Sequence, residues 1–185
     1  MNSSFIKKIE RLCPKIKISF FRKAININSR SYDGLSDKKY SNEKKYLVFV
    51  DSFFEHKDRV IREGSIEKKN IIEYYSILAK FLNKLSKIYN KKVIICSHPS
   101  NNSKLFQSYL KNFTIKKGKT HEMIRKSFIT LFHESSSIFE AIMLKKKIII
   151  LKSDLLGDYL SNRVKGYEKL LNLQSVEINN YNSLK

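Results

Sequence analysis

From residue 46 onward, short apolar runs alternate with longer stretches whose apolar positions recur every three or four residues. YLVFVDS (46–52) is rich in β-forming residues and ends in turn residues, which predicts a buried strand. The irregular FFEHKDRVIREGSIEKK follows. Then Ile71, Tyr75, Leu78, Leu82, Leu85 and Tyr89 recur at alternating steps of four and three, which places them on one face of a long helix. KVIICS predicts a second strand, followed by the turn HPSNNS and a short helix over KLFQSYLKNF. A brief strand FTIKK leads to Gly118 and a helix THEMIRKS. FITLFH (128–133) and KIIIL (147–151) predict two more strands, separated by a helix over SSSIFEAIMLKK. A helix-prone segment from 155 to 173 and a last short strand SVEIN finish the pattern.

Strands that read as continuous apolar runs and alternate with helices predict a parallel sheet covered on both faces. The expected fold class is α/β, a Rossmann-like domain over residues 46–185. Residues 1–45 lack steady periodicity and are expected to be a basic N-terminal segment and linker. FIKKIERL there suits two helical turns before Pro14, and NINSRSYDGLSDKKYSNEKK is polar connecting chain.

Charge changes this picture more than composition does. Lys and Arg number 37 against 17 Asp and Glu, for a formal net charge of +20. Such a surface suits nucleic acid, anionic lipid or a phosphorylated ligand. Most of the basic residues are lysine, whereas a reader of duplex DNA leans on the planar fork of arginine. Codon bias towards Lys, Ile and Asn in an AT-rich genome explains the same excess. Cys13 and Cys96 are far apart and form no CxxC, which fits a reducing compartment. Cys96, inside KKVIICSHP, reads as a small buried hydrophobe. No run approaches the roughly 20 apolar residues of a membrane span, and the N-terminus is too interrupted by charge for a signal peptide. A cytoplasmic protein is expected.

In parallel α/β sheets, ligands bind beyond the carboxyl ends of the strands. The positions to inspect are therefore Asp51–Ser52, Ser97–His98–Pro99, Gly118–Thr120, His133–Ser137 and Lys152–Asp154. Ser137 and Glu140 match the S-x-x-E capping box at a helix start. That box leaves Ser135 and Ser136 unexplained, so the turn reads either as a cap alone or as a cap joined to a phosphate cradle. Pro99 disfavours helical geometry at His98, so the strand should run out and present the imidazole at the sheet edge. Alone, His98 reads as a surface His in an ordinary turn; beside the serine turn on the same edge, a phosphate contact is the favoured reading. KKGKTHE contains GKT, but a P-loop needs a second glycine where Phe113 stands. Gly118 and Thr120 are expected to end a strand, cap a helix and line a pocket. His56 and Asp58 read as solvated loop. No G-x-G-x-x-G follows a strand, no G-x-S-x-G elbow occurs, and the histidines lack zinc spacing, so no metal is expected.

Taken in order, VFVDSFFEHKDRV, EYYSILAKFLNKLSKIYNKKVIICSHP and GKTHEMIRKSFITLFHESSSIFEAIMLKKKIIIL resemble the C-terminal, donor-binding half of GT-B-fold bacterial glycosyltransferases. The nearest likeness is to enzymes of capsule, lipooligosaccharide and other surface-polysaccharide synthesis. The His-Pro pair and the serine run are similar to the HP and SS motifs of CMP-sugar-using sialyltransferases and related Kdo transferases. The resemblance implies that His98 and Ser135, Ser136 and Ser137 hold the donor phosphate. It also implies that Pro99, Gly118, Thr120 and Glu140 line the donor pocket. The implied substrate is a nucleotide sugar, a CMP-sugar in the closest likeness, with a glycan or glycolipid as acceptor and no separate cofactor. The family's acceptor domain and its acidic base in a D/E-D/E-G motif have no counterpart: Tyr32-Asp33-Gly34 is a half match, and Asp33 is not assigned as the base. A split or inactive module that needs a separate acceptor-domain protein is the alternative. A basic nucleic-acid-binding protein is the third reading, although no motif specific for nucleic acid is present. Peripheral contact with an anionic inner membrane is also expected from the basic surface.

Overall fold

The computed structural model describes residues 44–183. The readings made for Cys13, Pro14, Asp33 and the rest of the N-terminal segment to residue 43 lie outside them. Six strands form one parallel sheet: β1 (Tyr46–Val50), β2 (Val93–Ser97), β3 (Thr114–Lys117), β4 (Ser127–Phe132), β5 (Lys147–Lys152) and β6 (Val176–Glu177). Their spatial order is β3-β2-β1-β4-β5-β6, and every adjacent pair is parallel. The fold is therefore α/β and Rossmann-like, as the alternation of apolar runs predicts. The central strand β1 is buried from Leu47 to Val50 because sheet neighbours flank it and helices cover it.

The helices are α1 (Lys57–Glu63), α2 (Lys68–Tyr89), α3 (Lys104–Leu110), α4 (Thr120–Arg125), α5 (Ser137–Met143) and α6 (Gly157–Leu171). A 3₁₀ turn, Asp154–Leu156, precedes α6. Helix α2 packs against α3, and α4 packs against α5. The buried face of α2 comprises Ile71, Tyr74, Tyr75, Leu78, Phe81, Leu82 and Leu85. It is wider than the predicted stripe, gaining Tyr74 and Phe81, while Tyr89 emerges at the helix end. Each such large side chain removed from water contributes about 1.5–3 kcal/mol. Helix α1 stands where an irregular segment was expected, since KDRVIRE carries no continuous apolar stripe to announce it. Cys96 is buried in β2, and burial pushes its thiol up to about 12, as befits a packing residue rather than a nucleophile.

Because all strands run one way, their carboxyl ends share one edge of the sheet. The strand order reverses between β1, which is followed by β2 on one side, and β4 on the other. A crevice at that reversal is where parallel α/β sheets take their ligands.

Candidate functional site at the carboxyl edge

The dipeptide after β1 ties together the loops on either side of the reversal. Asp51 is buried, and its carboxylate accepts from the amide of Phe53 (3.1 Å), the Asn101 side chain (2.7 Å) and the amide of His98 (3.4 Å). Burial raises its pKa, and these three donors oppose the rise. Ser52 faces the other way, and its hydroxyl donates to the Glu134 carbonyl at 2.8 Å. One residue thus holds the β2 exit and the next holds the β4 exit.

At the β2 exit, the amide of Ser100 donates to His98 Nδ1 at 3.2 Å. That bond leaves Nε2 to carry the proton of the neutral ring. The His98 ring stacks on Phe53, with centroids 5.8 Å apart, and meets the edge of His56 at 5.5 Å. Phe53 reaches this position through a left-handed backbone (φ 43°). Pro99 is exposed in the turn, as expected of a residue that ends the strand. Asn101 is buried, and its Oδ1 accepts from the Ser103 amide at 2.9 Å, so the whole turn is braced. Lys117, at the end of β3, donates to the Asn101 carbonyl at 3.3 Å.

At the β4 exit, Ser135 Oγ accepts from the Ser137 amide at 3.2 Å and keeps its own proton to donate. Helix α5 begins at Ser137, with an exposed Ser136 before it whose side chain makes no cap. The capping box predicted for Ser137 and Glu140 does not form. Glu140 lies on the buried face of α5, where its carboxylate bonds His121 of α4. It faces another helix because α4 and α5 pack together, which the S-x-x-E spacing cannot reveal. The adjacent Glu134 forms ion pairs with Arg59 (3.6 Å) and Arg163 (3.4 Å). Two of the few arginines therefore stand beside the serine turn. Arg59 also lies 4.9 Å over the ring of Phe54.

His133 opens the HESSS run, yet it takes no part in the edge. It is fully buried, with Nδ1 on the Leu151 carbonyl (2.9 Å) and Nε2 accepting from the Tyr74 hydroxyl (2.8 Å). Burial drives its pKa down to about 3, so the ring stays neutral. Gly118 follows β3 with φ 69°, a left-handed turn that suits glycine. Thr120 is the first residue of α4 rather than its cap, because Lys119 holds the cap position. These two residues stand at the β3 exit, on the far side of β2 and β1 from the β4 turn.

The sequence reading missed His56, Asn101, Arg59 and Arg163. His56 reads from sequence as solvated loop, and only the fold reveals that the loop after β1 turns its ring onto His98; the Asp58 side chain lies outside the described residues. Two cavities lie nearby, of about 240 and 290 Å³. The first is lined by Arg59, Ser65, Asn70, Asp154 and Tyr159 among others, the second by Glu55, Ile71 and Leu105 among others. Neither is lined by His98 or by Ser135, Ser136 and Ser137. Among the described residues, no group of three His, Cys, Asp or Glu side chains is placed to hold a metal ion. No protein-family model matches the chain, and no curated protein is significantly similar to it.

Proposed function

We propose that this domain binds the nucleotide of an activated sugar, as the donor half of a bacterial surface-glycan glycosyltransferase. One observation supports the reading above others. Asp51 and Ser52 draw the His98 turn and the serine turn to the same edge, on either side of the strand-order reversal. An anion there would meet the Nε2–H of His98 and the hydroxyls of Ser135, Ser136 and Ser137. Hydrogen-bond donors of this kind stabilise charge that develops on the departing phosphate as the acceptor oxygen bonds the anomeric carbon and the bond from that carbon to the phosphate oxygen breaks. Arg59 and Arg163, ion-paired through Glu134, add positive charge next to the serines. Following the resemblance in sequence, the donor is a CMP-sugar and the acceptor a glycan or glycolipid, with the catalytic base supplied by an acceptor domain. Pro99, Gly118, Thr120 and Glu140 act as structural supports of the edge in this reading.

The test is thermal stabilisation by CMP compared with UDP, GDP and ADP, in the wild type and in His98→Ala. A ligand at 100 times its dissociation constant adds about 2.7 kcal/mol. The expected result is a CMP-selective rise in melting temperature that is lost in the variant. A folded wild-type sample that responds to none of the four nucleotides would sink the proposal.

A further inference from the structure

Lysines stand at both edges of the sheet, but the carboxylates among them do not. Lys44 and Lys45 precede β1, Lys91 and Lys92 precede β2, and Lys145 and Lys147 bracket the turn into β5. All six lie at the amino edge of the sheet, opposite the candidate site, and all but the half-buried Lys91 are exposed. At the carboxyl edge the lysines (Lys104, Lys117, Lys119, Lys152) stand among carboxylates: Asp51, Glu134, Asp154 and Glu177 follow the ends of β1, β4, β5 and β6 or stand at them. Glu168, in the last turn of α6, is bonded to the amide and hydroxyl of Ser175. Glu122 is paired with Lys126.

Complementing the carbonyl ends of helices accounts for one basic residue in such turns. It does not account for what accompanies them. Ile88 and Tyr89 are exposed at the end of α2. Tyr89 meets Phe128 at 5.7 Å, and the ammonium groups of Lys91 and Lys147 sit over the same Phe128 ring at 5.0 and 4.8 Å. Lys145 occupies a left-handed backbone (φ 53°) that glycine or asparagine fills with less strain.

We infer that the amino edge is a docking surface for an anionic phospholipid bilayer. Charge complementarity identifies the partner: a lysine belt matches the diffuse negative potential of acidic headgroups. Aromatic and apolar side chains ringed by lysine stems suit the interfacial zone of a bilayer. Nucleic acid would favour arginine forks for its phosphates, and the six belt residues are all lysine. Docked in this way, the carboxyl edge faces the aqueous phase and stays open to a soluble ligand. The inference is independent of the nucleotide reading.

The experiment sediments the full chain with vesicles of phosphatidylcholine alone or with about a third phosphatidylglycerol. Binding is expected only to the anionic vesicles and should weaken with salt. The double variant Lys92→Glu, Lys147→Glu should bind at least tenfold more weakly, since each lysine near the surface is worth roughly fivefold. Lys104→Glu, Lys116→Glu, which makes the same charge change at the carboxyl edge, should bind like the wild type. Circular dichroism confirms that each variant folds, and Ile88→Ser with Tyr89→Ser, which keeps every charge, should also weaken binding. Equal loss in both charge-reversal variants, or equal binding to neutral vesicles, would overturn the inference. So would preferential capture of a mixed-sequence RNA over the vesicles.

Discussion

Tyr74 and Tyr75 are neighbours in α2 and equally buried, yet their hydroxyls stand in opposite situations. Tyr74 donates to His133, whereas the Tyr75 hydroxyl has no hydrogen-bond partner. Leaving a buried polar atom unsatisfied costs about 1–3 kcal/mol. Tyr74→Phe should therefore destabilise the fold by about that amount, because it orphans Nε2 of His133. Tyr75→Phe should leave stability unchanged or raise it, and urea unfolding of both variants distinguishes the two. His133 adds a pH dependence of known sign. Its folded pKa, near 3, is below the ordinary value of 6.5, so below pH 6.5 the unfolded chain takes up a proton that the folded chain refuses. Stability present above pH 6.5 is lost as pH falls towards 3, by about 1.4 kcal/mol per unit. His133→Gln should flatten the decline between pH 6.5 and 5, and an unchanged slope would contradict the buried neutral ring.

The elements differ in how they terminate, and the difference is measurable. Helices α2 and α5 both end in paired bonds: Asn90 and Lys91 donate to Lys87 and Ser86, and Lys145 and Lys146 donate to Ile142 and Ala141. Each ending needs a left-handed residue. Asn90 tolerates that backbone better than Lys145 does, so Lys145→Gly should stabilise the fold by about 0.5–1 kcal/mol, read as a higher urea midpoint. Elements were largely legible in the sequence because each strand is a continuous apolar run and α2 carries a periodic stripe. The candidate site was less so. His98 was placed correctly at an edge because Pro99 constrains its backbone locally. His133 also follows a strand, but what buries it is Tyr74, 59 residues earlier in the chain. The fate of Glu140 depends on α4, and the meeting of His56 with His98 depends on a loop conformation. Tertiary neighbours decided each of these cases, and local spacing carries no record of them.

At the scale of the whole fold, the charges of the described residues are arranged by sheet edge. Turns carrying paired lysines occupy one edge of the sheet, and the other edge mixes lysines with carboxylates, histidines and hydroxyls. Composition alone weighs codon bias equally against an anionic partner, whether nucleic acid, anionic lipid or a phosphorylated ligand. Under the two proposals, the carboxyl edge takes a small anion and the amino edge an extended surface. Among the described residues no helix is long and apolar enough to cross a membrane. The central claim concerns the carboxyl edge, and mapping backbone amide signals of isotope-labelled protein during a CMP titration tests it most directly. The account predicts saturable shifts at Ser52, His98 and Ser135–Ser137, with Lys91 and Lys92 unmoved. Shifts confined to the amino edge, or none that saturate, would contradict it.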